Sequence, residues 1–386
     1  MVKTFAAKKK KSTIAQSLAA RPKIDRPLLI VTLVLVVFGL VMMFSASFAS
    51  AYYMYGDGYR YIKKQLVFAA FGVFMMLFIS QVNYHILHKF AWPFFLLSYA
   101  LLVLTLFMKP INNARRWIII GNSFTFQPSE FMKFAIILLF SHFISTNPKR
   151  MQEFKYGFLV PMGVLVAVAV VLLKQPHLSC TLIIVCVGCV VLFIGGTKLR
   201  YFLISGGIGI PALVSFLVAT DKMSYVLSRV STWVESIFDS SLCEYQTLQS
   251  LIAIGSGGLM GLGLGNSRQK HLYVPEPQND FIFSIICEEL GYVGALFVIL
   301  LFVLFVIRGF KIALHAKDKF GMMLAIGVTT LIGLQALLNI AVVTNTVPNT
   351  GISLPFFSSG GTSLVVLLAQ VGVLLSISRF SSVNPQ

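Results

Sequence analysis

Apolar runs, several of about 18 residues or longer, alternate along the chain with short polar breaks. Such runs suit a bilayer hydrocarbon core roughly 30 Å thick, where only helices can satisfy their own backbone hydrogen bonds. The pattern predicts an all-α polytopic membrane protein with ten transmembrane helices, at about 28–50, 66–81, 90–108, 129–145, 157–173, 178–195, 200–219, 281–307, 320–344 and 363–379. An even number of spans puts both termini on one side. Residues 1–26 read as a basic N-terminal arm, 27–380 as a single transmembrane domain and 381–386 as a tail.

Three polar islands interrupt the apolar pattern, all at the same ends of their spans. The first runs from Ala114 to Lys133. It contains Arg115, Arg116 and the interfacial Trp117, and Pro128 stands ready for the first turn of the next helix. Glu130 and Lys133, three residues apart, share a helix face and can neutralise one another. The second is the glycine-rich run Gly255–Gly265, which has too many glycines for a stable helix interior and lacks the Lys-Ser/Thr ending of a phosphate-binding loop. The third, Asn345–Ser363, carries no charge but many hydroxyls and amides that can bond a sugar or pyrophosphate.

Between spans seven and eight lies a large loop, about 220–280. The stretch Arg229–Gly291 gathers Glu235, Asp239, Glu244, Glu276, Asp280, Glu288 and Glu289, more than half of the chain's 13 acidic residues. Carboxylates before the glycine run and the cations Arg268 and Lys270 after it suit a base facing an anion site, an arrangement used in glycosyl and phosphoryl chemistry.

Charge orients the chain. With the N-terminus in the cytoplasm, 19 of the 31 Lys and Arg fall in cytoplasmic segments and 11 in outer loops, with Lys133 inside a span. Both termini of this multi-pass protein are therefore expected in the cytoplasm and the acidic loop outside. The net charge of +18 is spread over juxtamembrane loops, which fits anionic headgroups and argues against nucleic acid. The five cysteines form no disulfide framework, and Cys186/Cys189 reads as helix packing. The small-residue stretch after the first span looks like a cleavage site, but the preceding apolar run is too long for a signal peptide, so the helix is read as retained.

Three long motifs then stand in order: ARRW, QPSE and Lys at 114–133; YQ, QS, AIGSGGL, GLGNS, QK, PE, DFIF and EELG at 245–291; and NI, TGI, LPF and GG at 339–363. In these the chain resembles the SEDS family of cell-wall polymerases, the group of FtsW, RodA and SpoVE, with LGLGNSRQK nearer the FtsW and SpoVE branch. The resemblance implies a glycosyltransferase that polymerises lipid II, the undecaprenyl-pyrophosphate disaccharide-peptide. It implies a class B penicillin-binding protein transpeptidase as partner, among other divisome or elongasome membrane proteins. It also places the essential loop acid on Asp239, with Glu235 at a more variable position. Two departures stand out: Ser236 and Ser240 replace loop prolines, and Gln175-Pro176-His177-Leu178-Ser179 replaces a Glu-Pro-Asp-x-Gly pattern.

The expected chemistry is inverting transfer, with Asp239 as general base on the acceptor 4-hydroxyl. The pyrophosphate leaving group needs cations rather than an acid, so one carboxylate suffices where glycosidases use two. Arg115, Arg116, Trp117, Gln246, Lys270, Ser358 and Ser359 are the expected substrate contacts, and Glu130, Lys133, Glu235 and Glu289 the supporting residues. No metal ligands are evident, and the cations act alone or with a divalent ion, Mg or Mn. Two other functions fit the same composition: a lipid II flippase, and a non-catalytic scaffold that activates the penicillin-binding protein.

Overall fold

Helix starts are written plainly in the chain. Asp25 opens α1 (Arg26–Tyr55) by accepting the Leu28 N–H at 2.8 Å, Pro27 sits in the first turn, and left-handed Gly56 (φ 71°) closes it. Pro128 likewise opens α4. The computed structural model describes residues 24–108, 110, 115–120, 124–207, 231–236, 239 and 243–381. The elements are α1, α2 (Arg60–Gln81), α3 (His85–Leu104), the hairpin β1 (Ile118–Ile120) and β2 (Phe124–Phe126), α4 (Pro128–Thr146), α5 (Val160–Lys174), α6 (Leu178–Gly195), α7 (Tyr245–Gly257), α8 (Ile282–Leu314), α9 (Lys319–Val343) and α10 (Gly361–Arg379).

Among the described residues, nine helices are long and apolar enough to cross a membrane. They match nine of the ten expected spans. For the remaining one the helical run 199–207 is described, while 208–219 lies outside the described residues, as do 1–23, 220–230, Ser240 and 382–386. At 30 residues, α1 is about 45 Å long and overshoots the hydrocarbon core. Its exposed Ile30, Val37 and Val41 suit lipid as solvent. Helix α9 is central, touching α4, α6 and α8, while α2 lies along α10 and α1 along α8.

The glycine-rich island is resolved as a backbone joint. Helix α7 continues through Gly255 and Gly257 and breaks only at Gly258, because α8 is itself broken at Gly291 (φ 67°, ψ −164°) and the two breaks pair. Leu262 and Gly263 donate their N–H groups to the carbonyls of Glu288 and Glu289, both at 2.9 Å, and Tyr292 donates to Gly258 at 2.9 Å. The freed backbone is thus covered by protein, as membrane depth requires. A Cβ on Gly261 (φ 78°) would stand 2.2 Å from the Glu289 carbonyl oxygen, so only glycine fits there. Gly261→Ala should cost more than about 1–3 kcal/mol, whereas Gly255→Ala, with open space at its Cβ and a helical backbone, should be neutral or gain up to about 1 kcal/mol. Thermal unfolding of the purified variants checks this, and equal melting would contradict the joint.

Side chains lock the same region. Lys270 Nζ lies 2.9 Å from Glu289 Oε1, both buried, and also donates to the Gly265 carbonyl at 2.6 Å. Ser45 Oγ on α1 sits 2.7 Å from both Glu289 oxygens. Glu288 accepts from the Ser267 hydroxyl and from the backbone of Arg268 at 2.8 Å. At the other end of the bundle, buried Asp25 lies 3.4 Å from Arg308 of α8, and its N–H donates to Ser378 of α10 at 3.0 Å.

Candidate active site

Five chain segments meet at one end of the bundle: the hairpin leading into α4, the N-termini of α6 and α8, the middle of α9, and the loop before α10. Between them is a cavity of about 290 Å³, near the lower size of small-molecule sites. Arg116, Trp117, Glu130, Lys133, His177, Glu276, Asp280, Ser358 and Ser359 are on its wall.

The loop before α10 is held against the start of α8 by a short network. Asn339 of α9 donates through Nδ2 to the carbonyls of Asp280 at 2.7 Å and Ile352 at 2.6 Å. Ser358 donates to the Asn279 carbonyl at 2.7 Å and accepts from Leu354 N–H at 2.8 Å, and the Ser359 N–H donates to the Gln278 carbonyl at 2.8 Å. The two serines expected at the substrate therefore shape the wall as well as lining it. Lys133 Nζ and Glu130 Oε1 are 2.7 Å apart on α4, so the expected pairing on one helix face is formed. Arg116 is anchored by a hydrogen bond to the Pro176 carbonyl.

Asp280 is a half-buried carboxylate of this wall; the other, Glu130, is paired with Lys133 on its own helix. Burial, then the charge of Glu276, push its pKa up to about 6, and the Arg116 guanidinium opposes the rise. A carboxylate tuned to that range is suited to taking a proton near neutral pH. His177, buried at the start of α6, is shifted the other way, down to about 3, by burial and then by Arg116 and Lys133, so its ring is neutral.

The remaining expected site residues lie elsewhere. Arg115 donates to the Leu106 carbonyl at 2.7 Å and does not line the cavity. Lys270 and Glu289 form the buried pair beneath the backbone joint. Gln246 meets Asn349 at 3.5 Å, on the outer flank of the 345–349 turn. Glu235 and Asp239 are exposed, and the Asp239 N–H donates to the Glu235 carbonyl at 3.0 Å. Neither is on the cavity wall. Ser236, standing where the family pattern has a proline, is buried and accepts from Asn345 Nδ2 at 2.9 Å, tying its segment to the third polar island. In sequence, Asp280 is one of seven acids in the Arg229–Gly291 stretch. Its position directly before the eighth span was the available signal, since an acid at a membrane edge is costly unless used.

Among the described residues no group of three His, Cys, Asp or Glu side chains is placed to hold a metal ion.

Residues 26–383 match the cell cycle protein family of FtsW, RodA and SpoVE. This chain belongs to that family. It is 39% identical over 360 residues to stage V sporulation protein E of Bacillus subtilis, covering 92% of this chain and 97% of that one. It is 37% identical to a probable peptidoglycan glycosyltransferase FtsW of Geobacter sp., with 92% of this chain and 96% of the relative covered. Among solved structures, a chain of a peptidoglycan synthase complex that coordinates polymerization and crosslinking superposes with a TM-score of 0.76 at 25% identity, over 92% of this chain and 98% of that chain. RodA of Thermus thermophilus follows at 0.69 and 25%, over 93% and 98%. In this member of the FtsW/RodA/SpoVE family, each of the three motifs read from the sequence contributes to one cavity: Arg116, Trp117, Glu130 and Lys133 from the first, Glu276 and Asp280 from the second, and Ser358 and Ser359 from the third.

Proposed function

We propose that this chain is a peptidoglycan glycosyltransferase that polymerises lipid II into glycan strands at the outer face of the bacterial cytoplasmic membrane, with both termini in the cytoplasm. The observation that carries this reading is the cavity in which Asp280 stands among Arg116, Glu130 and Lys133 on a family fold. The named relatives and the synthase-complex neighbour support the substrate class, and the surplus of Lys and Arg in the expected cytoplasmic segments supports the orientation. The same neighbour supports a class B penicillin-binding protein as crosslinking partner.

In the mechanism that fits this wall, the general base is Asp280 rather than Asp239. The acceptor 4-hydroxyl gives its proton to Asp280 as its oxygen forms a bond to the donor's anomeric carbon from the face opposite the leaving group, inverting the configuration. The electron pair of the breaking C–O bond leaves with the polyprenyl pyrophosphate. Arg116 and Lys133 offset that charge, Lys133 in part only because Glu130 shares it. Trp117 and the serines of the 351–360 loop supply shape and hydrogen bonds around the sugar.

A pH dependence follows. The base works only as the carboxylate, so activity should fall as pH drops through about 6, the value to which burial and Glu276 raise Asp280. Glu276→Gln removes the neighbouring negative charge and should move this acidic limb to lower pH. The kcat/KM profile for lipid II polymerisation from pH 4.5 to 8 reads both effects. An unchanged limb in Glu276→Gln would remove Asp280 from the role.

A further inference from the structure

The wall of the cavity contains one polar group that the mechanism above leaves unused. His177 is 7% exposed, and its buried Nδ1 has no hydrogen-bond partner. Its backbone is fully engaged: the N–H donates to the Leu172 carbonyl at 3.0 Å, and the carbonyl accepts from Thr181. The residue's backbone is therefore fixed just before α6 while one of its ring nitrogens is unsatisfied. An unsatisfied buried polar atom costs on the order of 1–3 kcal/mol, so a group kept in that state at a cavity wall is suited to a ligand. A second orphan lies on the same wall: Arg116 Nε is also buried without a partner, although the same guanidinium is anchored to the Pro176 carbonyl, one residue from His177.

We propose that His177 is a substrate-binding residue whose Nδ1–H donates to a pyrophosphate oxygen of the polyprenyl-linked donor, beside the Nε–H of Arg116. The inference rests on the function proposed above and assigns a residue to its leaving-group subsite. The charged groups that act on the ring decide between phosphate and sugar. Both are cations: Arg116, whose field favours a negatively charged oxygen at this point over a neutral hydroxyl, and Lys133, which adds less because Glu130 shares its charge. Burial, and then the same cations, keep the imidazole neutral, with its pKa down at about 3. A neutral donor fits the chemistry, because it steadies the pyrophosphate without adding a third positive charge that would hold the departing product.

The test uses the full chain in lipid nanodiscs and two probes, lipid II and undecaprenyl pyrophosphate, which share the pyrophosphate and differ by the saccharide. His177→Phe keeps a planar ring and removes the donor. It should weaken binding of both probes by about 10- to 100-fold, the range for a hydrogen bond to a charged group. His177→Asn places an amide donor near the Nδ1 position and should recover most of that loss. Unchanged binding by the Phe variant overturns the proposal. So does weakened binding of lipid II alone, which would move the contact to the saccharide, and so does equal loss in Phe and Asn variants that also melt early, which would make the role structural. If Phe yields no folded protein, His177→Leu takes its place. A wild-type chain that binds both probes and polymerises nothing would defeat the polymerase reading, while the comparison of variants would still decide the role of His177.

Discussion

Asp280→Asn is expected to lower the rate of lipid II polymerisation by about 10²–10⁴, the usual worth of a positioned general base, with folding and membrane insertion intact. Asn keeps the shape and removes the proton acceptor, so lipid II should still bind and the loss should fall on kcat. Asp239→Asn, at an exposed position off the cavity wall, should retain activity within about threefold. The pair of variants makes a clean comparison on gels of labelled glycan, with and without the crosslinking partner. If Asp239→Asn is dead and Asp280→Asn is active, the base is on the loop and the cavity assignment fails. If both are active with intact wall synthesis, the chain is a scaffold. Labelled lipid II that becomes accessible across liposomes without polymer would instead favour a flippase.

Lys270→Met should be the most damaging single change outside the cavity. It leaves Glu289, 0% exposed, without its cation, and stranding one member of a buried pair typically costs about 3–5 kcal/mol. The double variant Lys270→Met/Glu289→Gln removes both charges and should recover much of that loss, since Gln can still accept from Ser45. Thermal unfolding in detergent reads the effect. This outcome separates two roles for Lys270. A substrate cation would raise KM with little change in melting, and the double variant would not rescue it; a locking residue shows the reverse.

The spans were legible because lipid imposes a length and a composition that soluble cores do not, and nine helices fall where the apolar runs do. The Glu130–Lys133 pair was legible too, since helical spacing of three fixes which side chains meet. The partners of Lys270 were not. Its proximity in sequence to the acidic loop suggested an anion site, while the residue that holds it, Glu289, reaches it only because α8 breaks at Gly291 and turns that carboxylate toward α1. For the same reason the acids of the loop could not be ranked. Asp239 and Asp280 are equally polar in sequence, and only the folding of the 351–360 loop onto residues 276–280 puts one of them in a cavity. The hairpin at 118–126 carries no helical signal and sits among long apolar runs, so in sequence it is simply part of a polar island.

The joint between α7 and α8 has a practical use. Main-chain groups hold its tip, so the side chains there are released from structural duty: Leu259 is 73% exposed and Met260 79%. A fluorophore attached through Met260→Cys would therefore ride on a rigid mount. With Cys180 and Cys287 buried and the half-buried Cys186, Cys189 and Cys243 replaced by alanine, it reports by its emission colour whether the tip meets water, headgroups or another protein while glycan is being made.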